Sequence, residues 1–250
     1  MLSAIKIIFL LGFLVLIHES GHYFAAKICK VKVNEFAIGF GPKIFSRKKD
    51  NTTYELRLIP LGGFVNLEGE EELSEEEGSF SKASIPKKIF IIAAGALVNI
   101  IFGIIVYIII ISFKYMSFAN VNILQGLGYG IRSSFELMKE VIFSILQLFT
   151  GKLSVKDFTG PVGISSVVSQ TNGFIEFLYL LGIISISLGV TNLLPFVPLD
   201  GGKIVIYLIE AIRRKPLKRE VEAGIQLFGM FVLIALSVIV TCNDVIKIIK

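Results

Sequence analysis

A chain of 250 residues that is 54% hydrophobic, with mean hydropathy +0.76, is too apolar for an ordinary soluble domain. Its net charge of +5 and pI near 9.1 would suit a nucleic-acid partner, but the basic residues follow membrane topology instead, which excludes that class. The two cysteines, Cys29 and Cys242, have no metal spacing and exclude a disulfide framework.

In chain order, four stretches are long and nearly uncharged: about 7–26, 89–113, 174–196 and 224–242. Each approaches the ~20 residues that cross ~30 Å of hydrocarbon. The sequence therefore predicts an all-α membrane protein, a polytopic bundle of about four transmembrane helices forming one domain over residues 1–250. The first stretch has only Lys6 ahead of it and no small-residue cleavage site, so it reads as a retained helix rather than a signal peptide.

Between the first two stretches the pattern changes. "VNEFAIGFGPKIF" and "YELRLIPLGGFVNLEG" alternate apolar and polar residues before Pro60 and the Gly62–Gly63 pair. That predicts a β segment over about 31–69 on the inner side, either an ordinary surface hairpin or a small sheet that dips into the membrane. An edge near Gly62, Gly63 and Phe64 would accept unwound peptide as an added strand. The acidic run over 68–77 reads as a solvated loop. Asn99, a polar residue at membrane depth, sits beside the small residues Ala93 to Ala96 and reads as a helix-packing or substrate-contacting group. Residues 134–149 carry Glu136, Lys139 and Glu140 near their start and read as an amphipathic helix on the outer surface.

With the N-terminus outside, the inward segments 27–88 and 197–223 hold eleven and six Lys+Arg, against eight elsewhere. This bias supports that orientation.

The first helix carries "HESGH", His18 to His22. Positions i and i+4 share a helix face, so both imidazoles can reach one ion. Glu19 lies one step round, where it can activate a metal-bound water without ligating the metal. Burying three ionisable groups in hydrocarbon costs several kcal/mol unless something is gained, and a zinc ion offers that gain. Catalytic zinc takes three protein ligands and leaves one open position. Of the four aspartates, Asp50 lies in a basic loop, Asp157 follows the amphipathic stretch and Asp244 is near the far terminus. Asp200 closes a hydrophobic helix in "LGVTNLLPFVPLDGGKIV", where Pro195 and Pro198 break helical pairing and Gly201 and Gly202 are expected to loosen the chain. With residues 134–149 outside, Asp200 emerges on the same inner side as the histidines, with Glu19 roughly 10 Å deep.

"HESGH" in the first helix and "NLLPFVPLDGG" in the third resemble the site-2 protease family of intramembrane zinc metalloproteases. The family's N-x-x-P-x-x-x-x-D-G pattern matches as Asn192, Pro195, Asp200 and Gly201. "GFGP" at 39–42, "IPLGGFV" at 59–65, "AAGALVN" at 93–99 and "GPVGI" at 160–164 resemble its bacterial branch. The resemblance implies His18, His22 and Asp200 as ligands of one Zn2+, Glu19 as catalytic base and Asn192 against substrate or the reacting carbonyl. It implies a re-entrant hairpin and substrates that are single-pass membrane proteins or signal-peptide remnants, such as anti-sigma factors or signalling precursors. It also implies a possible upstream site-1-type protease, and a bacterial plasma membrane with the active site toward the cytoplasm. The interval from Lys114 to Gly173 is too short for the whole PDZ domain that many bacterial members carry. The competing reading from another class is a non-proteolytic zinc-binding carrier or sensor. It has no need of Glu19 and would spread ionisable groups along the crossing, whereas here they cluster at one depth.

Overall fold

The computed structural model describes residues 2–70, 72, 74–119, 121–150, 152 and 160–249. The elements run α1 (Leu2–Ile28), β1 (Val33–Lys49), β2 (Thr52–Leu67), α2 (Ile85–Ala119), α3 (Ile123–Phe149), α4 (Pro161–Ser169), α5 (Phe174–Asn192), α6 (Asp200–Arg213) and α7 (Arg219–Ile249). Four of these helices contain stretches long and apolar enough to cross a membrane: Ala4–Ile28, Ile85–Ala119, Phe174–Asn192 and Arg219–Lys247. The chain is a multi-pass membrane protein.

The chain falls into two compact units, one of Ile8–Asn99 and Thr191–Leu227, the other of Met1–Ile7, Ile100–Val190 and Phe228–Lys250. The first unit is built around the end of α1, where Ala25 and Ala26 pack with Val33, Leu67, Phe80 and Ile91. Small residues let the backbones close up here. A Cβ on Gly21 would come 2.5 Å from the carbonyl oxygen of Ala94 on α2.

β1 and β2 form one antiparallel pair whose strands bend sharply. Phe36 and Ala37 take partners on both flanks, Val65 and Phe64 on one and Tyr54 and Glu55 on the other. Gly39 (φ +88°), Gly41 (φ +83°) and Gly62 (φ +115°) occur where that bend needs left-handed backbone. Asp50 and Asn51, also left-handed, form the two-residue turn between the strands. Asp50 is thus a turn residue. Buried Glu55 pairs with Lys43 and accepts hydrogen bonds from Arg57 at 2.8 and 3.0 Å. The outer part of the hairpin exposes Phe40, Ile44, Phe45, Leu56, Leu58 and Ile59, an apolar set that water would not favour.

In the second unit α5 packs on α2 through glycine. A Cβ on Gly103 would come 2.6 Å from the Gly182 carbonyl oxygen, and the Tyr107 and Tyr179 rings stack at 5.4 Å. α3 lies against α2 through Gly126 and Gly130, which face Ser112 and its neighbours, and Tyr129 stacks on Tyr115 at 4.4 Å. Helix formation therefore starts at Ile123, upstream of the amphipathic stretch expected at 134–149. Asp244 is buried and accepts the backbone N–H of Gly163 at 2.8 Å, so it caps the start of α4. Asp157 lies outside the described residues.

Two expectations need correction. The third apolar stretch stops being helical at Asn192, not at Phe196, because the prolines that follow cannot continue the hydrogen-bond ladder. Gly201 and Gly202 do not loosen the chain. They lie inside α6, where any side chain would collide with backbone of Leu193, Leu194, Phe196 or Val197, so they allow α6 to pack on its own approach loop.

Candidate metal centre

Successive turns of α1 bring His18 and His22 onto one face, their rings edge to face at 4.8 Å between centroids and their Nε2 atoms 3.2 Å apart. The third group arrives from the other end of the chain. After Asn192 the backbone makes short turns, Leu194 N–H to Thr191 O at 3.0 Å and Leu199 N–H to Phe196 O at 2.9 Å. Leu199 is extended and α6 starts at Asp200. The Asp200 carboxylate oxygen Oδ2 then lies 3.2 Å from His18 Nε2 and 3.5 Å from His22 Nε2.

These three atoms make a triangle with edges of 3.2, 3.2 and 3.5 Å. A tetrahedral ion with bonds of about 2.0–2.1 Å separates its ligands by roughly 3.3–3.4 Å. Two imidazoles and one carboxylate at that spacing fit a zinc ion and leave a fourth position. The three side chains are 11–16% exposed, sheltered yet open to water. Among the described residues this is the group of His, Cys, Asp and Glu close enough together to hold a metal.

His22 Nδ1 lies 2.9 Å from the carbonyl oxygen of Ile91, so Nδ1–H donates there and Nε2 keeps its lone pair for an ion. Gly95 sits beneath the same ring, where a Cβ would collide with it. His18 Nδ1 is 3.5 Å from the side-chain amide of Asn99, which is fully buried on α2.

A cavity of about 200 Å³ opens on this triangle, lined by His18, Glu19, His22 and Asp200, by Phe64, Val65 and Leu67 of β2, by Ile91 and Ile92, and by Glu70 and Lys203. Gly63 brings β2 against Glu19. A Cβ there would lie 3.4 Å from the Glu19 side chain and 2.7 Å from the Ala37 carbonyl oxygen. Upstream, Pro60 lies by α1, its carbonyl oxygen 2.9 Å from where a Gly12 side chain would begin. This part of β2 follows α1 between Gly12 and Glu19.

Electrostatics favour ionised groups at the mouth. Burial works against a charged Asp200 carboxylate, and a cation held with His18 and His22 would offset that. Burial likewise works against charged Lys203, and Glu70, in contact at 2.8 Å, more than restores it.

His18, Glu19, His22, Phe64 and Asp200 therefore share one cavity, and Gly63 adjoins it. Gly62 serves the bend of β2, its absent side chain making way for the Phe40 ring. Asn192 ends α5 half-buried and is not among the lining residues. Sequence reasoning missed Glu70 and Lys203, which face each other across 133 positions and carry no local signal.

A family model described as Peptidase family M50 matches residues 6–236. A Clostridium acetobutylicum protein assigned as a zinc metalloprotease is 27% identical, the match covering 94% of this chain and 95% of that one. A Fusobacterium nucleatum protein with the same assignment is 26% identical, over 95% and 97%. A Streptococcus pyogenes protein so assigned is 26% identical over 99% of this chain and 100% of its own. That alignment runs to 417 positions against 250 residues here, so the relative has long stretches without a counterpart in this chain.

Proposed function

This chain belongs to peptidase family M50, the site-2 protease family, and we propose that it cleaves peptide bonds within or near transmembrane segments of other membrane proteins, with Glu19 as general base. It is a zinc metalloprotease by family and by its relatives' assignments. The observation that carries the finer reading is the placement of Glu19 in the same cavity as the His18, His22 and Asp200 triangle, with a β-strand edge beside it.

His18, His22 and Asp200 would hold one Zn2+ ion. Zinc bound there supplies Lewis acidity, lowering the pKa of water toward ~7 and polarising a peptide carbonyl. Glu19 takes the proton from the attacking water and delivers it to the leaving amine. Asn192 is assigned to the substrate, as a donor to the reacting carbonyl once a peptide is bound.

A helical substrate hides its carbonyls in i to i+4 hydrogen bonds, so it must unwind before attack. The strand Gly62–Gly63–Phe64 is the docking edge for that unwound stretch. Support comes from its approach to Glu19 and from the exposed apolar tip of the hairpin, which suits lipid rather than water. The substrates are single-pass membrane proteins or signal-peptide remnants. In this reading an upstream site-1-type protease acts on them first. The chain sits in a bacterial plasma membrane with its N-terminus outside and the site toward the cytoplasm, as the basic-residue bias supports.

The test is a membrane-helix reporter co-expressed with the protein or with Glu19→Gln. Cleavage by the wild type and none by the variant is expected. Equal cleavage by both removes Glu19 from the chemistry.

A further inference from the structure

α2 presents three residues to the histidines at intervals of one helical turn. Ile91 offers its carbonyl oxygen to His22, Gly95 removes any side chain from beneath that ring, and Asn99 reaches His18. Residues i, i+4 and i+8 share a helix face, so one stripe of α2 backs both imidazoles. Asn99 is fully buried in this stripe, at a depth where a polar side chain is costly unless it has a partner.

We propose that Asn99 is a positioning residue for the metal centre, fixing the tautomer and tilt of His18. The inference rests on the metal-centre reading above. In each close contact of the triangle the histidine atom is Nε2, so Nε2 is the ligating atom and Nδ1 must carry the proton. A protonated Nδ1 needs an acceptor. The amide nitrogen of Asn99 lies 3.5 Å from Nδ1, and a half-turn of the carboxamide brings its oxygen to the same place. Nδ1–H then donates to Asn99 Oδ1, as His22 donates to Ile91. The two histidines are oriented by one helix, one through backbone and one through a side chain. Only the side-chain partner can be changed by substitution.

The chain has two histidines, so 15N-histidine labelling reads both rings of the full-length protein in micelles without ambiguity. With zinc as the probe, the wild type should show Nδ1–H and coordinated Nε2 on both rings. Asn99→Leu should bind zinc about 10–100-fold more weakly in competition with a chelator, with the change confined to the His18 signals. Asn99→Asp, which keeps an acceptor and loses the donor, should bind zinc as tightly as the wild type or more so. A simple packing role predicts the reverse order, since Leu fills the site and Asp charges it. Wild-type affinity in Asn99→Leu, equal weakening in Asn99→Asp, or His18 coordinated through Nδ1 overturns the proposal while leaving the metal centre standing. A wild type that takes up no zinc overturns both. Should Asn99→Leu fail to fold, the wild-type spectrum and Asn99→Asp still decide.

Discussion

A methyl group on Gly95 of α2 would collide with the imidazole of His22 on α1. The ring lies directly on helix backbone, and its Nδ1 meets the carbonyl oxygen of Ile91 one turn away. Gly95→Ala should therefore displace His22 and lower zinc content. Gly128→Ala, where a Cβ meets open space on α3, should keep zinc and be neutral or stabilising by up to ~1 kcal/mol. Metal analysis and thermal unfolding of the two variants check this. Full zinc in Gly95→Ala would mean the ring is free to move and the close approach has no bearing on the metal.

Glu19 lines the cavity without belonging to the His18, His22 and Asp200 group. Glu19→Gln should retain one zinc per chain and lose about 10²–10⁴-fold or more in cleavage rate, the range for a lost general base. Asp200→Ala should instead lose zinc. The pair of measurements separates a base from a ligand, and zinc loss in Glu19→Gln would place Glu19 in the wrong category.

Gly63 lets β2 approach Glu19, a Cβ there lying 2.7 Å from the Ala37 carbonyl oxygen. Gly63→Val should push the edge away from Glu19. The expected outcome is a sharp fall in reporter cleavage with zinc content unchanged. A variant with normal cleavage would rule out this edge as the place where substrate lies.

The Glu55 cluster gives a pH dependence. Burial pushes this carboxyl up, but hydrogen bonds and charge from Lys43 and Arg57 outweigh it and hold it below its ordinary value of 4.5. A carboxyl depressed in the folded state stabilises fully above its unfolded pKa, and that contribution fades as pH falls through the folded one. At neutral pH, Glu55→Gln should lower stability by about 1.5–3 kcal/mol, the range for hydrogen bonds to a charged group. The gap between variant and wild type should close as pH drops below about 4. Thermal unfolding in detergent from pH 3 to 7 measures it, and a gap independent of pH would show that the charge of Glu55 contributes nothing.

How far the sequence disclosed these features follows from their range. The His18–His22 face was legible because helical periodicity is local. Asp200 was legible because two prolines and a sudden end to an apolar run are local too. Asn99 stood out as polar in hydrocarbon, but its neighbour His18 lies 81 positions away and only packing reveals that contact. The Glu70–Lys203 pair was invisible for the same reason. Gly201 and Gly202 were misread because a glycine that relieves a turn and one that admits a neighbouring backbone look alike in sequence. The β segment was found, but its doubled register was not, since that depends on left-handed backbone at Gly39, Gly41 and Gly62. Helix α3 extended upstream of its charged portion because Gly126 and Gly130 gain contact with α2, which outweighs their poor helix propensity.

The convergence of His18, His22 and Asp200 on one ion is tested most directly by zinc-edge X-ray absorption on the purified wild-type protein. The expected spectrum has one zinc per chain, two imidazole nitrogens and oxygen ligands at about 2.0–2.2 Å, and in Asp200→Ala the zinc signal falls away, any residual zinc lacking the carboxylate oxygen. Sulfur at about 2.3 Å, a single imidazole, or a spectrum that Asp200→Ala leaves untouched would contradict the centre described.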